Sequence, residues 1–206
     1  TPTPYPTLPP TSVPALTATS VFIFDPDQHG VLYARNADLL VFPASTTKML
    51  TALVASHYYS HQEVVTVPAF KVEGQKMGLM YGERISIENL LYGLLVFSGN
   101  DAAEVLARHY PQGRAAFIEA MNIEARKLGM TSSVFKNPTG LDEAGHVSTA
   151  REMSLLGQAV MADPYLRPIV GTSKATVESV DGKFAHRLVS TNDLLTTVPG
   201  VVGIKT

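Results

Sequence analysis

The sequence predicts an α+β domain with a mainly antiparallel sheet and a helical lobe. β-prone runs stand near both ends of the 206 residues, at 20–35 and at 174–206. Between them, residues 86–161 carry apolar side chains at helical spacing. Turn signals join neighbouring runs near both ends, and such short connections favour antiparallel pairing.

The first 17 residues predict an extended leader, and the folded domain is placed at 18–206. Proline occupies positions 2, 4, 6, 9, 10 and 14, and this density favours a polyproline-like chain that cannot pack as a helix. The chain opens with neither an initiator Met nor an apolar signal core. The leader is therefore interpreted as a spacer that remains after an upstream segment is removed, or simply as a disordered segment, which is the default for such a composition.

Two strands and a helix are predicted after the leader. Runs at 20–25 and 31–35 flank a turn of about five residues, which indicates a hairpin. A helix follows near Ser45, because Pro43 ends any preceding element and serine can cap a helix N-terminus. Apolar residues recur at helical spacing over 49–54 and give this helix a face to bury.

The middle of the chain predicts a short strand at 63–67, a turn-rich connection at 74–83 and then several helices. These helices have recognisable start and stop signals. The signals are Ser86 before a helix that stops at 98–100, Asp101 before a helix towards Tyr110, Gly129 after a helix at 114–128, and Ser148 before a helix through Met161.

The C-terminal part predicts a hairpin followed by one further strand. β-prone runs at 174–180 and 183–189 flank Asp181 and Gly182, and Asp-Gly is a strong signal for a two-residue turn. Residues 201–206 have the pattern of the start of a last strand.

Composition excludes several classes of function. The formal net charge of −2 leaves no basic footprint, which argues against a nucleic-acid partner. No apolar run is long enough to span a bilayer. The absence of cysteine excludes disulfides and thiolate chemistry but leaves the cellular compartment open.

A serine and a lysine at the start of the first predicted helix form the first candidate site. Ser45 and Lys48 are three positions apart, and residues i and i+3 share a face of a helix. The pattern recurs at Ser133 and Lys136, in a segment predicted to be extended. In an extended chain these side chains point to opposite faces, so only the first pair is expected to meet.

Two further polar clusters accompany this pair. Ser98 and Asn100 flank a glycine in a tight connection between helices, and Lys205 and Thr206 lie on the predicted last strand. Ser-x-x-Lys, Ser-x-Asn and Lys-Thr in this order resemble the motif set of penicillin-interacting serine enzymes. Further similar phrases lie at 79–83, 98–103, 137–141, 148–153 and 202–206.

From about Ser20 to Thr206 the chain resembles the serine D-Ala-D-Ala carboxypeptidases, which are low-molecular-mass penicillin-binding proteins. The resemblance implies a β-lactamase/transpeptidase-like fold and an acyl-enzyme mechanism. Ser45 would attack the carbonyl of the penultimate D-Ala, Lys48 would be the base, and Ser98 would relay the proton to the leaving amine. Penicillins would acylate the same serine.

The resemblance also implies how the substrate is held. Asn100 would bind a substrate amide, since its side chain both donates and accepts hydrogen bonds. Lys205 and Thr206 would anchor the terminal carboxylate of a peptidoglycan stem peptide. Neither a metal nor an organic cofactor is implied. The implied location is outside the cytoplasmic membrane, with any membrane anchor outside these residues.

One departure from the family concerns the end of the chain. The sequence stops at Thr206, before the glycine of the third motif. We therefore expect the remaining C-terminal sheet strands and the second oxyanion-hole amide to lie beyond it, with the first amide on Ser45. The expectation is a catalytic domain truncated at the third motif, inactive alone and exposing a strand edge.

Alternative functions stay open at the sequence level. A class A β-lactamase shares the motif order, but its second motif usually has Asp where this chain has Gly99, and Asp142 and Glu143 do not match its deacylating loop. A penicillin-sensing domain and an endopeptidase are the other two readings. His57 and His61 have the spacing of a helical zinc pair, yet an exposed helix end is the favoured interpretation.

Overall fold

The computed structural model describes residues 16–28 and 30–206. Almost all of the predicted leader, together with His29, lies outside these described residues. Residues 16 and 17 have no regular secondary structure. The boundary at 17/18 therefore stays a prediction.

Six strands and seven α-helices are formed by the described residues. The strands are β1 (Val21–Asp25), β2 (Gly30–Arg35), β3 (Val64–Thr66), β4 (Arg84–Ser86), β5 (Lys174–Glu178) and β6 (Ala185–Val189). The helices are α1 (Lys48–Tyr58), α2 (Ile87–Leu95), α3 (Asn100–His109), α4 (Arg114–Lys127), α5 (Ala150–Ala162), α6 (Leu166–Val170) and α7 (Leu194–Thr197). A 3-10 turn, Ala44–Thr47, leads into α1.

The strands pair as three separate antiparallel ribbons, β1 with β2, β3 with β4 and β5 with β6. The α+β class and the antiparallel pairing are confirmed. The expected single sheet is not formed by the described residues, because no strand ladder joins the three ribbons. β1 lies against α5 and β5 against α2, and a hydrogen bond from the Val180 amide to the Arg84 carbonyl links the end of the third ribbon to the second.

Helix α1 lies at the centre of the hydrophobic core. Residues 48–55 are all buried, and α1 packs against α2, α3, α4 and α5. A helix enclosed on every side cannot shift without disturbing the whole core. The 3-10 turn at its N-terminus is therefore held rigidly.

Three of the predicted helix caps are wrong, and two boundary signals are confirmed. Ser45 lies inside the 3-10 turn and its side chain makes no capping hydrogen bond. Asp101 lies in the first turn of α3, after Gly99 in the cap position, because its carboxylate binds loop amides instead. Thr149, not Ser148, caps α5 through the Glu152 amide. By contrast Ser86 caps α2, and Gly129 follows α4 with φ +83°.

The C-terminal part differs most from the prediction. The strands of the last hairpin end at Glu178 and resume at Ala185, so the connection is longer than the expected two residues. Ser179 closes it, since its amide donates to the Phe184 carbonyl and its hydroxyl bonds Asp181. Residues 201–206 form no strand. β4, α6 and α7 were not predicted, being three to five residues long. Of the helices described, none combines the length and the apolar character needed to cross a membrane.

Candidate active site

The 3-10 turn brings the predicted nucleophile and base together. Lys48 Nζ donates a hydrogen bond to Ser45 Oγ over 3.0 Å. The same ammonium group donates to the Thr139 carbonyl oxygen over 2.5 Å. The expected adjacency of positions i and i+3 is therefore present, although the turn is 3-10 and the α-helix begins only at Lys48.

Burial makes Lys48 an unusual lysine. Its side chain has no exposed surface, and removing an ammonium group from water disfavours its charged form. Burial first, and then the positive charge of Lys205, lower the pKa of Lys48 from 10.5 to about 7. Lys48 can therefore be neutral at physiological pH and accept a proton from Ser45.

A loop at 137–141 closes over this pair. The Asn137 side-chain oxygen accepts hydrogen bonds from the Thr139 amide and hydroxyl and from the Gly140 amide. Gly140 has φ +85°, and a methyl group there would overlap the Ala44 carbonyl oxygen. The loop thus touches the nucleophile turn directly and aims the Thr139 carbonyl at Lys48.

Thr139 is a site residue that the sequence reasoning missed. In the sequence, residues 137–141 are one of the phrases similar to the family, and no role is assigned to Thr139. Asn-Pro-x-Gly is a pattern typical of a sharp bend. It could not show that the bend places a carbonyl oxygen on Lys48, because the two are 91 positions apart.

The second predicted cluster lies at the start of α3. Ser98 is buried with φ +66°, and Asn100 is 4% exposed. The Asn100 side-chain amide donates to the Glu73 carbonyl over 2.7 Å. A methyl group at Gly74 would lie 2.6 Å from that amide nitrogen and 3.8 Å from a methyl of Leu141. Asn100 therefore lies beside the loop that closes over Ser45.

The structure does not connect Ser98 directly to the reacting pair. Among the described residues, no hydrogen bond joins its hydroxyl to Ser45 or Lys48. Its role in proton relay stays a prediction.

The third cluster is organised by Thr191. Lys205 Nζ donates to Thr191 Oγ1 over 3.3 Å, and the Thr206 hydroxyl contacts both the Thr191 carbonyl and hydroxyl oxygens at 2.9 Å. The Thr191 amide in turn donates to the Val96 carbonyl, two residues before Ser98. Burial lowers the pKa of Lys205 from 10.5 to about 8. The Ser-x-Asn pattern at 190–192 is typical of a polar turn, and nothing in the sequence indicates the contact of Thr191 with Lys205 and Thr206.

The two histidines with zinc-like spacing face different neighbours. His57 lies 3.7 Å from a Glu124 oxygen and 3.5 Å from an Asp163 oxygen. The His61 ring stacks on Tyr165. Within residues 16–28 and 30–206, no group of three or more His, Asp or Glu side chains has the arrangement of a metal site.

The chain is similar in sequence to known proteins along nearly its whole length. A family model described as D-alanyl-D-alanine carboxypeptidase, peptidase S11, matches residues 9–206. D-alanyl-D-alanine carboxypeptidase DacF of Bacillus subtilis is 32% identical over 95% of this chain and 52% of DacF. D-alanyl-D-alanine carboxypeptidase DacB2 of Mycobacterium tuberculosis is 34% identical over 94% of this chain and 67% of DacB2. This chain therefore spans about half the length of DacF.

The fold of this chain is also similar to that of a solved structure. The crystal structure of a D-alanyl-D-alanine carboxypeptidase from Mycobacterium tuberculosis H37Rv superposes with a TM-score of 0.85 and 34% identity, over 95% of this chain and 75% of that chain. The predicted β-lactamase/transpeptidase-like fold class is confirmed by this similarity.

Proposed function

Because this chain belongs to the D-alanyl-D-alanine carboxypeptidase family, we propose that it carries the reacting groups of a serine D,D-carboxypeptidase. The substrate is a peptidoglycan stem peptide that ends in D-Ala-D-Ala. The observation that carries the proposal is the hydrogen bond from a buried lysine with a pKa of about 7 to the Ser45 hydroxyl. Such a lysine is a competent base at neutral pH.

Acylation uses the neutral form of Lys48. Lys48 takes the proton from Ser45 Oγ as that oxygen attacks the carbonyl carbon of the penultimate D-Ala. The peptide bond then breaks, and the terminal D-Ala leaves with a proton delivered from Lys48 through Ser98. Water hydrolyses the resulting ester, which returns the hydroxyl to Ser45 and releases the shortened peptide.

Asn100, Lys205 and Thr206 are the proposed substrate-binding groups. The substrate carboxylate would meet the Lys205 ammonium group and the Thr206 hydroxyl, and such charge-assisted hydrogen bonds select a free C-terminus. Thr191, which contacts both residues, supports this pocket. Asn100 would hold an amide of the substrate backbone.

Two further proposals concern partners and location. β-Lactams would acylate Ser45 in place of the peptide, because their strained amide meets the same nucleophile. Family members act on peptidoglycan outside the cytoplasm, and we place this protein there, on the periplasmic or cell-wall side.

The test is mass spectrometry of the full-length protein after penicillin treatment, followed by an assay for free D-Ala. We expect one adduct on Ser45, absent in Ser45→Ala and retained in Ser133→Ala, which alters the second Ser-x-x-Lys pattern. We also expect release of D-Ala from a D-Ala-D-Ala peptide. Rapid hydrolysis of the penicillin adduct would indicate a β-lactamase, and an adduct without D-Ala release would indicate a penicillin sensor.

A further inference from the structure

A loop without regular secondary structure forms one side of the candidate site. Residues 73–83 connect towards β4 and contain no helix or strand. Their first part contacts Asn100: Glu73 accepts from its side-chain amide, and the Gln75 carbonyl accepts from its backbone amide over 2.7 Å. The orientation of the Asn100 side chain therefore depends on the shape of the 73–83 loop.

Side chains rather than secondary structure hold this loop in place. The Asp101 carboxylate accepts hydrogen bonds from the amides of Met77, Gly78 and Leu79. The Glu83 carboxylate accepts from the Met80 amide over 2.9 Å. Both carboxylates are buried, so each of these bonds is shielded from water.

His186 ties the same loop to a second part of the fold, the strand β6. Its Nδ1 lies 3.1 Å from the Met77 carbonyl oxygen, and its Nε2 lies 2.7 Å from a Glu83 oxygen. The His186 side chain is 6% exposed and that of Glu83 is fully buried. A carbonyl oxygen can only accept, so the hydrogen bond between His186 and Met77 is donated by Nδ1.

The position of His186 links two parts of the candidate site. It lies on β6 opposite Val177 of β5, and β6 continues directly towards Thr191, the residue that contacts Lys205 and Thr206. One imidazole ring thus joins the strand that leads to the proposed carboxylate pocket with the loop that orients Asn100. Neither Lys48 nor Ser45 is in contact with it.

We propose that His186 is a positioning residue, which fixes the 73–83 loop through Met77 and Glu83 and thereby sets the Asn100 side chain for substrate binding. The inference rests on the proposed function, because it assigns Asn100 to the substrate. His186 touches no reacting atom. Its removal should weaken substrate binding and acylation while the Ser45–Lys48 pair stays intact.

Three substitutions in the full-length protein separate the two hydrogen bonds. His186→Leu fills the buried position with an apolar side chain and removes the hydrogen bonds to both Met77 and Glu83. His186→Asn keeps a hydrogen-bond donor near the position of Nδ1, and His186→Gln keeps a donor near the position of Nε2. His109→Leu is the matched control, since His109 and Glu63 form a 2.6 Å pair at an exposed site away from the loop. Acylation by a fluorescent penicillin and amide exchange of residues 73–83 are the measurements.

We expect His186→Leu to lower the second-order acylation rate on the order of 10–100-fold, the scale of a misplaced binding group. Amide exchange in the loop should rise, and His186→Asn or His186→Gln should restore part of the rate. His109→Leu should change neither measurement. In an Asn100→Ala background the loss caused by His186→Leu should shrink, because the effect passes through Asn100.

The outcomes distinguish this inference from the proposed function. If the unmodified protein is not acylated, the proposed function fails, and loop exchange still reports on the contact made by His186. If it is acylated and His186→Leu reacts at the normal rate, the inference is overturned. The inference would also be overturned if His186→Leu lowered the acylation rate by the same factor in the unmodified protein and in the Asn100→Ala background.

Discussion

The Lys48 ammonium nitrogen lies 3.0 Å from the Ser45 hydroxyl oxygen, and the Lys48 side chain is closed off from solvent. Burial and the charge of Lys205 hold the pKa of Lys48 at about 7. The proposed base therefore exchanges its proton near neutral pH. We expect this property to affect both the proposed acylation and the stability of the fold.

The acylation rate should depend on pH through two lysines. Lys48 must be neutral to act as a base, so the rate should rise as pH rises through about 7. Lys205 must be charged to hold a carboxylate, so the rate should fall as pH rises through about 8. Stopped-flow measurement of the acylation rate of the full-length protein with a D-Ala-D-Ala peptide, from about pH 5 to about pH 9, should give a narrow bell-shaped pH profile.

A peptide with an amidated C-terminus is the control for the basic limb. It has no carboxylate for Lys205 to hold, so the rise near neutral pH should remain while the fall disappears. A rate that does not change with pH over this range would exclude Lys48 as the base.

Replacement of Lys48 by methionine should stabilise the fold while it abolishes acylation. The folded pKa of about 7 is below the unfolded value of 10.5, so the unfolded chain binds more protons between these values. Stability of the unmodified protein therefore rises with pH across that window. Lys48→Met should raise the free energy of unfolding on the order of 1–4 kcal/mol at neutral pH, and the gain should vanish as pH approaches 10.5.

Denaturant unfolding at several pH values measures this gain. Lys127→Met is the matched control, since Lys127 is exposed and pairs with Glu124 on the surface of α4. It should show no such dependence on pH. A Lys48→Met variant less stable than the parent at neutral pH would show that the hydrogen bonds to Ser45 and Thr139 outweigh the desolvation of the ammonium group.

The nucleophile turn should not tolerate a side chain at Gly140. Gly140 and Gly145 both have positive φ, +85° and +79°, so alanine at either position carries a similar backbone penalty of ~1 kcal/mol. At Gly140 the added methyl would overlap the Ala44 carbonyl, whereas at Gly145 the nearest atom is a Lys136 methylene carbon at 3.5 Å. Gly140→Ala should therefore lose most acylation.

Thermal unfolding and penicillin labelling of the two alanine variants provide the comparison. Gly145→Ala should lower Tm slightly and keep normal labelling. Equal labelling of both variants would show that the contact between Gly140 and the nucleophile turn is unimportant for the position of Ser45.

The sequence was sufficient for the parts of the fold that depend on local patterns. Ser86 and Gly129 mark real helix ends, because a cap and a left-handed glycine act within one turn of their own helix. Asp101 has the right chemistry for a cap but binds three amides of a loop more than twenty positions earlier. Side-chain chemistry alone does not reveal such a distant partner.

The same difference between local and distant contacts applies to the candidate site. Ser45 and Lys48 were predicted from their spacing because the contact between them is local. The contributions of Thr139, Thr191 and His186 were missed, since each acts on residues between 14 and 109 positions away. Common polar residues in turns and strands carry no local signal of such contacts, which only the packed structure can show.

Thr191 should be important for recognition of the substrate carboxylate. Its hydroxyl accepts from Lys205 over 3.3 Å and contacts the Thr206 hydroxyl at 2.9 Å. Thr191→Val removes that hydroxyl but keeps the shape of the side chain, and the carbonyl that binds Thr206 stays. With Lys205 less well held, KM for a D-Ala-D-Ala peptide should rise about 5-fold, the scale of one lost hydrogen bond, with little change in kcat. Thr176→Val, at an exposed position of β5, is the control and should leave KM unchanged. A lower kcat with normal KM in Thr191→Val would contradict a role in carboxylate binding, because that pattern reports a group needed only in the transition state.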